Sequence, residues 1–373
     1  MYILRRLPLS RLLLLCALVL AIGVLATALA FALGAGPTPP AKPLAQAIHD
    51  ALAGASEKPI EGVSANITWT DHLLEGANLA SGGQSGELTS NPLVAGASGR
   101  LWAAKDGRLR IELQSQQGDT QIIWDGHTLS VYDTATNTEY RYTPPRGEAP
   151  PQGEASGGPH EGGDEAPSVA KIEEAIAHLS RHAQVSGATP TDVGGQPAYT
   201  VRLSPREGGS LLGGVELSFD ANHGDPLRAA VYSTGSETPV LELAASEVSY
   251  GPVPSSVFEL NPPANIKVRE VELGHGSGSH SGQSTEAGHG GERPHITSSG
   301  HGPSTIGVAE GKEHGTGASG ALDGLPKVTI DGTSASELRT ELGTILSFER
   351  GGVRYLLGGF VAPAAVEAVA RGL

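Results

Sequence analysis

The segment from Gly118 to Asp133, with the sequence GDTQIIWDGHTLSVYD, constrains the fold most strongly. Apolar residues cluster at 122–124 and again at 129–132, and Asp125-Gly126 lies between the two clusters. Because an Asp-Gly pair supplies the positive φ angles of a tight two-residue turn, the segment predicts a β-hairpin. Hairpin patterns of this kind recur along the chain. The sequence therefore predicts a protein built mainly from antiparallel sheet.

Alternation of apolar and polar residues predicts strands with one buried and one wet face. Further strands at 198–203, 215–220, 228–233 and 241–250, with turn signals between them, indicate a barrel, an open barrel or a sandwich. The apolar members of the two clearest alternations are Val63, Ala65, Ile67, Trp69, Leu109, Ile111 and Leu113.

Helical periodicity appears in four places. One helix is expected at 44–53, and a second begins after Ser168, a favourable N-cap residue. Two more are expected near the C-terminus, at 334–342 and 363–371. The chain is therefore predicted to be mainly β with a few helices, an α+β composition.

Tracts rich in Gly and Pro divide the chain, which holds 52 glycines and 26 prolines among its 373 residues. Such tracts cannot bury enough apolar surface to fold. The predicted organisation is a membrane or signal segment at 1–36, a Pro-rich spacer at 37–43, a β domain at 44–273 with a disordered insertion at 144–167, a Gly/Ser/His-rich disordered linker at 274–320, and an α/β segment at 321–373 that docks on the main sheet.

The N-terminus carries an apolar run from residue 12 to residue 33, preceded by Arg5, Arg6 and Arg11. This run is long enough to span a hydrocarbon core, and the basic flank directs the rest of the chain outward. We expect a single membrane anchor with the bulk extracytoplasmic, or a secreted chain if the segment is cleaved as a signal peptide. Cys16 is the single cysteine, so no intrachain disulfide can form.

Composition and motifs exclude several functions. The formal net charge of −15, with no basic stripe beyond the first residues, argues against nucleic-acid binding. No GxSxG, HExxH or P-loop motif is present, and the sequence predicts no catalytic residue, no enzyme, no cofactor and no metal site. The histidines of the linker match no zinc spacing and suit either a solvated linker or weak binding of zinc, nickel or copper. They are His275, His280, His289, His295, His301 and His314.

Four sequence segments resemble the LolA-like lipoprotein-carrier superfamily, and more closely its exported actinobacterial members. They are IIWDGHTLSVYD, LRAAVYS, LELAASEVSYG and FELNPPANIKV. The resemblance covers residues 44–271. It implies an unclosed, strongly curved antiparallel β-barrel whose open side is plugged by helices. In the carriers of this family, the space between sheet and helices accepts acyl chains.

This resemblance implies an apolar cavity with a wall and a lid. Large rings at a cavity wall contact acyl chains, although each tryptophan is equally compatible with an ordinary core position. The predicted wall residues are Trp69, Ile67, Leu109, Ile111, Leu113 and Trp124, and the predicted lid residues are Ile172, Ile176 and Leu179.

Two functions follow from these expectations. The first is a membrane-tethered extracytoplasmic protein that binds a lipid or the acyl chains of a lipoprotein. The alternative is a non-enzymatic regulatory module of the cell envelope, similar to the stress sensors that share this fold and contact an anti-sigma factor or another membrane protein.

Overall fold

The computed structural model describes residues 36–75, 77, 94, 96–116, 118–144, 166–263, 265–271, 295–311 and 325–373. The predicted signal or anchor segment lies outside these residues, apart from Gly36, and so does nearly all of the predicted insertion at 144–167. Among the helices that are described, none combines the length and the apolar character needed to cross a membrane.

The first sheet contains thirteen strands and confirms the prediction of a mainly β chain. Its order is β13-β6-β5-β4-β3-β2-β1-β12-β11-β10-β9-β7, and β8 pairs with β9 off this path. Only β13 and β6 pair in parallel among the described strands. Because β13 and β7 end the order without meeting, the sheet is not closed into a barrel, as expected. The strands are β1 Gly62–Asp71, β2 Ala97–Ala104, β3 Leu109–Ser115, β4 Gly118–Trp124, β5 Leu129–Asp133, β6 Thr138–Tyr142, β7 Ala183–Val185, β8 Thr189–Val193, β9 Gln196–Pro205, β10 Leu212–Asp220, β11 Pro226–Ser233, β12 Pro239–Tyr250 and β13 Lys267–Glu270.

The sheet curls where the β8–β9 turn reaches back to β12. Residues 245–250 of β12 extend beyond the pairing with β11, and the turn packs against this free length. The Val248 N–H donates to the Gly194 carbonyl at 3.0 Å, and the Gln196 side chain donates to the Val248 carbonyl at 3.1 Å. Gly194 has a φ of +62°, and a Cβ there would lie 2.9 Å from a Val248 methyl, so this approach requires glycine.

Two helices lie at the β9 end of the first sheet. Helix α1, Leu44–Glu57, packs Ala47 and Ala51 against Tyr199 and Phe219, and these small side chains let the helix approach the sheet closely. Helix α2, Val169–Leu179, packs on α1 and on β7. The Ser168 hydroxyl accepts a hydrogen bond from the Lys171 N–H at 3.4 Å, which confirms the predicted N-cap.

The second sheet has six strands in the order β14-β15-β19-β18-β17-β16 and a core of its own. Helix α3, Pro363–Arg371, buries Val366 and Ala370 against Ile330, Leu346 and Leu357. The strands are β14 His295–Ser299, β15 Ile306–Gly311, β16 Lys327–Ile330, β17 Thr333–Arg339, β18 Thr344–Arg350 and β19 Val353–Gly359.

This second sheet corrects two predictions. The helix expected at 334–342 is the strand β17, because pairing with β16 and β18 on both sides overrides the helix propensity of this segment. The linker expected at 274–320 contains β14 and β15, since Ile306 and Val308 supply two buried side chains to the core. The segment expected at 321–373 completes a second sheet with these strands, and it also contacts the first sheet, where the Leu211 N–H donates to the Phe360 carbonyl at 2.7 Å.

The hairpin between β4 and β5 has a longer connection than predicted. Trp124 pairs with Leu129, so four residues, not two, join the strands. The Asp125 carboxylate accepts hydrogen bonds from the backbone N–H groups of His127 and Thr128, at 2.8 and 2.7 Å. An aspartate side chain that replaces backbone partners in this way stabilises a wider turn.

The β10–β11 turn carries a carboxylate with an unfavourable environment. Asp225 Oδ2 is buried and has no hydrogen-bond partner in the part of the chain that is described. Burial, and secondarily the negative charge of Asp220, raises the pKa of Asp225, while His223 opposes the shift.

We expect the Asp225→Asn substitution to raise the melting temperature at pH 7. An acid with a raised folded-state pKa binds more protons in the folded state, so the free energy of unfolding falls as pH rises through the interval above its ordinary value of 3.8. Below pH 3.8 the variant and the unmodified chain should have equal melting temperatures, because Asp225 is then uncharged in the folded and in the unfolded state. Thermal unfolding at pH 7 and at a pH below 3.8 checks this prediction. A variant that is less stable than the unmodified chain at pH 7 would contradict it.

Candidate functional site

One face of the first sheet is apolar over most of its width. We call the side that carries Ala65, Ile67 and Trp69 of β1 the apolar face. Cross-strand pairs extend it from β2 to β9, because paired residues share a face of the sheet. The row through Trp69 contains Ala97, Trp69, Leu243, Ala229, Leu217 and Val201. The neighbouring row contains Leu241, Val231, Val215, Leu203 and Val185.

Part of this face is core and part is open. Ile67 and Leu113 are each 4% exposed within a cluster that also includes Val248, so they are core residues. Leu217 is 40% exposed, and Ala229 in the next strand is also exposed. We call the row from Trp69 to Val201 the open apolar strip.

Helix α1 bounds the open apolar strip on one side. Its residue Ile48 packs with Val201 against the cluster formed by Ala47, Tyr199 and Phe219. The helix therefore covers the β9–β10 part of the apolar face, while Leu217, on the same strand as Phe219, stays accessible. An exposed leucine of this kind matters because it continues a contiguous apolar surface.

An apolar pocket of about 450 Å³ lies where the two sheets meet. We call it the junction pocket. Leu241 belongs to the row beside the open apolar strip, so the pocket adjoins the apolar face. Backbone hydrogen bonds join the sheets here, from Leu211 N–H to the Phe360 carbonyl at 2.7 Å and from Glu341 N–H to the Leu73 carbonyl at 3.3 Å. Its large apolar lining residues are Leu73, Leu74, Leu241, Leu338, Leu342, Ile345 and Phe360.

A half-buried carboxylate lies beside Leu241 of the junction pocket. Asp71 ends β1 opposite Leu241, and burial raises its pKa even though its carboxylate accepts a hydrogen bond from the Leu73 N–H at 2.7 Å.

Within the described ranges no three metal-ligating side chains converge. His295 of the predicted linker forms an exposed ion-pair contact with Glu310 at 3.0 Å. The apolar side chains described along the strip and in the pocket can bury apolar surface of a ligand.

The structure places the predicted wall residues on one face of the sheet. By their cross-strand pairing and strand alternation all six lie on the apolar face, and Ile67, Trp69, Ile111 and Leu113 belong to one cluster. Trp124 pairs with Leu109 in the row beyond this cluster.

The predicted lid residues lie elsewhere. Ile172 is buried, Ile176 is half-buried and Leu179 is 43% exposed. They belong to α2, which packs on α1 and β7, at the opposite end of the strand order from β3 and β4. The cluster that contains four of the predicted wall residues includes none of these three residues, and their role as a lid stays a prediction.

Sequence reasoning missed three residues of the open apolar strip. Leu217, Ala229 and Leu243 lie in strands that were predicted, but no face was assigned to them. The alternation was visible in Val215, Leu217 and Phe219, with Glu216 and Ser218 between them. Which side of that alternation faces Trp69 depends on pairings between distant parts of the chain.

Comparisons with known proteins add a likeness of fold. No family model and no curated protein matches the chain. Among solved structures, the MucA/MucB complex of Pseudomonas aeruginosa is similar at 13% identity and a TM-score of 0.41, over 88% of this chain and 96% of that one. The LolA superfamily protein NE2245 of Nitrosomonas europaea is similar at 10% identity and a TM-score of 0.19, over 84% of this chain and 90% of that one.

A third structure belongs to the same class. It is a putative outer membrane lipoprotein-sorting protein domain from Vibrio parahaemolyticus, with 9% identity and a TM-score of 0.19, over 84% of this chain and 91% of that one. The solved structures that are similar to this chain thus include a LolA superfamily protein and a lipoprotein-sorting domain. At such scores, the function must be argued from the geometry of the chain itself.

Proposed function

We propose that this chain is an extracytoplasmic, membrane-tethered protein without enzymatic activity that binds a lipid or the acyl chains of a lipoprotein. The observation that carries the proposal is the open apolar strip, a row of aligned apolar side chains that α1 covers only at one end. An acyl chain laid along this strip would bury surface on both partners, at about 0.8 kcal/mol for each methylene removed from water.

The proposed wall and lid residues take different parts in this function. Trp69 lies in the strip and would contact the ligand, while Ile67 and Leu113 would support the strip from the core. Leu109, Ile111 and Trp124 would extend the surface toward β4. The lid residues Ile172, Ile176 and Leu179 would act indirectly, because α2 packs on α1, and α1 borders the strip.

A photo-crosslinking amino acid tests the proposal in the native envelope. Benzoylphenylalanine placed at Leu217 of the full-length chain should give a lipid adduct, detected by mass spectrometry. The same amino acid at Thr68, an exposed residue on the opposite face of β1, should give none. Equal lipid labelling at both positions, or none at Leu217, would contradict the proposal.

The junction pocket favours a second candidate function, contact with a membrane or envelope protein. Its apolar lining and a volume of about 450 Å³ suit large apolar side chains of a partner better than a polar metabolite. Phe360 at its rim is 51% exposed, as is typical of an aromatic residue that anchors an interface.

Photo-crosslinking also distinguishes this second function from the first. Benzoylphenylalanine at Phe360 should crosslink to one envelope protein if the pocket binds a partner, and to lipid if the pocket continues the lipid site. Ile296, which is 73% exposed on the edge strand β14 of the same sheet, is the matched control position. Protein adducts of equal yield at both positions would indicate nonspecific contact and would remove the support for a partner site.

A further inference from the structure

The opposite face of the first sheet is polar, and most of its charged side chains satisfy one another. Between β9 and β12, Arg228 contacts both Glu216 and Glu242, and the Tyr232 hydroxyl donates to Glu216 at 2.8 Å. Arg202 completes this network with Glu216 at 3.1 Å. Such a network leaves few free hydrogen-bonding groups for a ligand.

A polar groove across β12, β1, β2 and β3 differs from that network. It consists of two adjoining pockets of about 210 and 510 Å³ that share Asn66 and Arg100. A β-bulge lies beneath it: Asn66 pairs with Glu247 while Ile67 pairs with Ala245, so Ser246 is an extra residue in β12. Bulges bend a strand locally and redirect side chains, which accounts for a groove on this face.

Several polar side chains of this groove keep hydrogen-bonding atoms available for a ligand. The Arg100 side chain is exposed and makes no hydrogen bond or ion pair with any residue that the structure describes. Asn66 Nδ2 donates to one oxygen of Glu247 at 2.8 Å and leaves the other oxygen available. Trp102 lies two residues from Arg100 on the same face, opposite Ser64, and its ring is half-buried. The groove thus combines an aromatic surface with several planar polar groups.

We propose that this polar groove binds a neutral carbohydrate chain. A sugar ring presents a face of C–H groups that packs on an indole, and pairs of neighbouring hydroxyls that match the two oxygens of a carboxylate or the fork of a guanidinium. The charges of the groove balance, since Glu247 offsets Arg100 and Glu112 is paired with Arg110 at 2.6 Å. A neutral ligand therefore fits better than an anion or a cation. The groove lies on the other face of the sheet from the open apolar strip, so this proposal does not depend on lipid binding.

Calorimetric titration of the full-length chain with four neutral tetrasaccharides tests the groove. The probes are maltotetraose, cellotetraose, chitotetraose and mannotetraose, and at least one should bind. Trp102→Ala and Arg100→Met should each weaken that binding by about tenfold or more, and Trp102→Phe should restore part of it. Tyr140→Ala removes an aromatic side chain that is 38% exposed on β6, outside the groove, and it should leave the affinity unchanged.

Three results would overturn the proposal. The first is no binding of any of the four probes. The second is binding that survives both Trp102→Ala and Arg100→Met, because Arg100 is exposed and its loss leaves the fold intact. The third is binding of an anionic heparin tetrasaccharide with none of the neutral probes, which would contradict the charge argument.

Discussion

Replacing Leu217 by glutamate is expected to weaken the binding of an acyl chain by about 100-fold, because it removes a leucine contact of about 1.5–3 kcal/mol and sets a carboxylate against the apolar ligand. Leu217 is 40% exposed, so the substitution places the charge at an accessible position and the sheet should still fold. Titration of dansyl-undecanoic acid into the full-length chain, held in amphipol, measures the dissociation constant.

The matched control for this experiment is Thr68→Glu. Thr68 is also exposed in a central strand of the same sheet, but its side chain lies on the polar face. The control introduces the same charge and reports any uptake of the probe by the amphipol. We expect its dissociation constant to equal that of the unmodified chain. An equal loss of affinity in both variants would indicate a general electrostatic effect and would contradict a site on the open apolar strip.

A second large effect, on the free energy of unfolding, is expected when a residue in the core of the second sheet is replaced. Leu346 is fully buried among Ile330, Leu357 and Val366, so Leu346→Ala leaves a cavity and should lower the free energy of unfolding by about 2–5 kcal/mol. Its neighbour Ile345 points to the other face and is 39% exposed, so Ile345→Ala should cost less than about 1 kcal/mol. Urea unfolding of the full-length chain measures both values.

These two variants test whether the face of β18 that carries Leu346 is the one buried in the core that residues 295–311 and 325–373 share. Val308 of β15 belongs to the cluster around Leu346, although it comes from the tract that was predicted to be a linker. A strongly destabilised Leu346→Ala, beside a nearly neutral Ile345→Ala, supports a common core. Equal costs would mean that the two faces of β18 are equally buried, and would contradict the account of the second sheet.

The sequence predicted the faces of β1 and β3 because local alternation determines them. Ala65, Ile67 and Trp69 share a face by the geometry of any strand, and so do Leu109, Ile111 and Leu113. The N-cap at Ser168 was equally local, because its partner is the N–H three residues ahead. These local patterns therefore predicted the central part of the apolar face, which belongs to the candidate site.

Other features depend on contacts between distant residues. The open apolar strip exists because Trp69 pairs with Leu243 and Leu243 with Ala229, and no local pattern gives that register. The prediction of a helix at 334–342 was wrong. The helix propensity of this segment stabilises it less than strand pairing on both edges of β17 does. Strand β14 was missed because its residues, from His295 to Ser299, are all exposed and show no apolar alternation.

The most direct test of lipid binding is to map where a photoactivatable fatty acid reacts. The full-length chain in membranes is illuminated with palmitate that carries a diazirine, and the labelled peptides are identified by mass spectrometry. We expect labels on the open apolar strip, at Trp69, Leu217 and Leu243, in addition to any labels within residues 1–35. Labels confined to residues 1–35, or spread equally to the polar face around Trp102, would contradict this expectation.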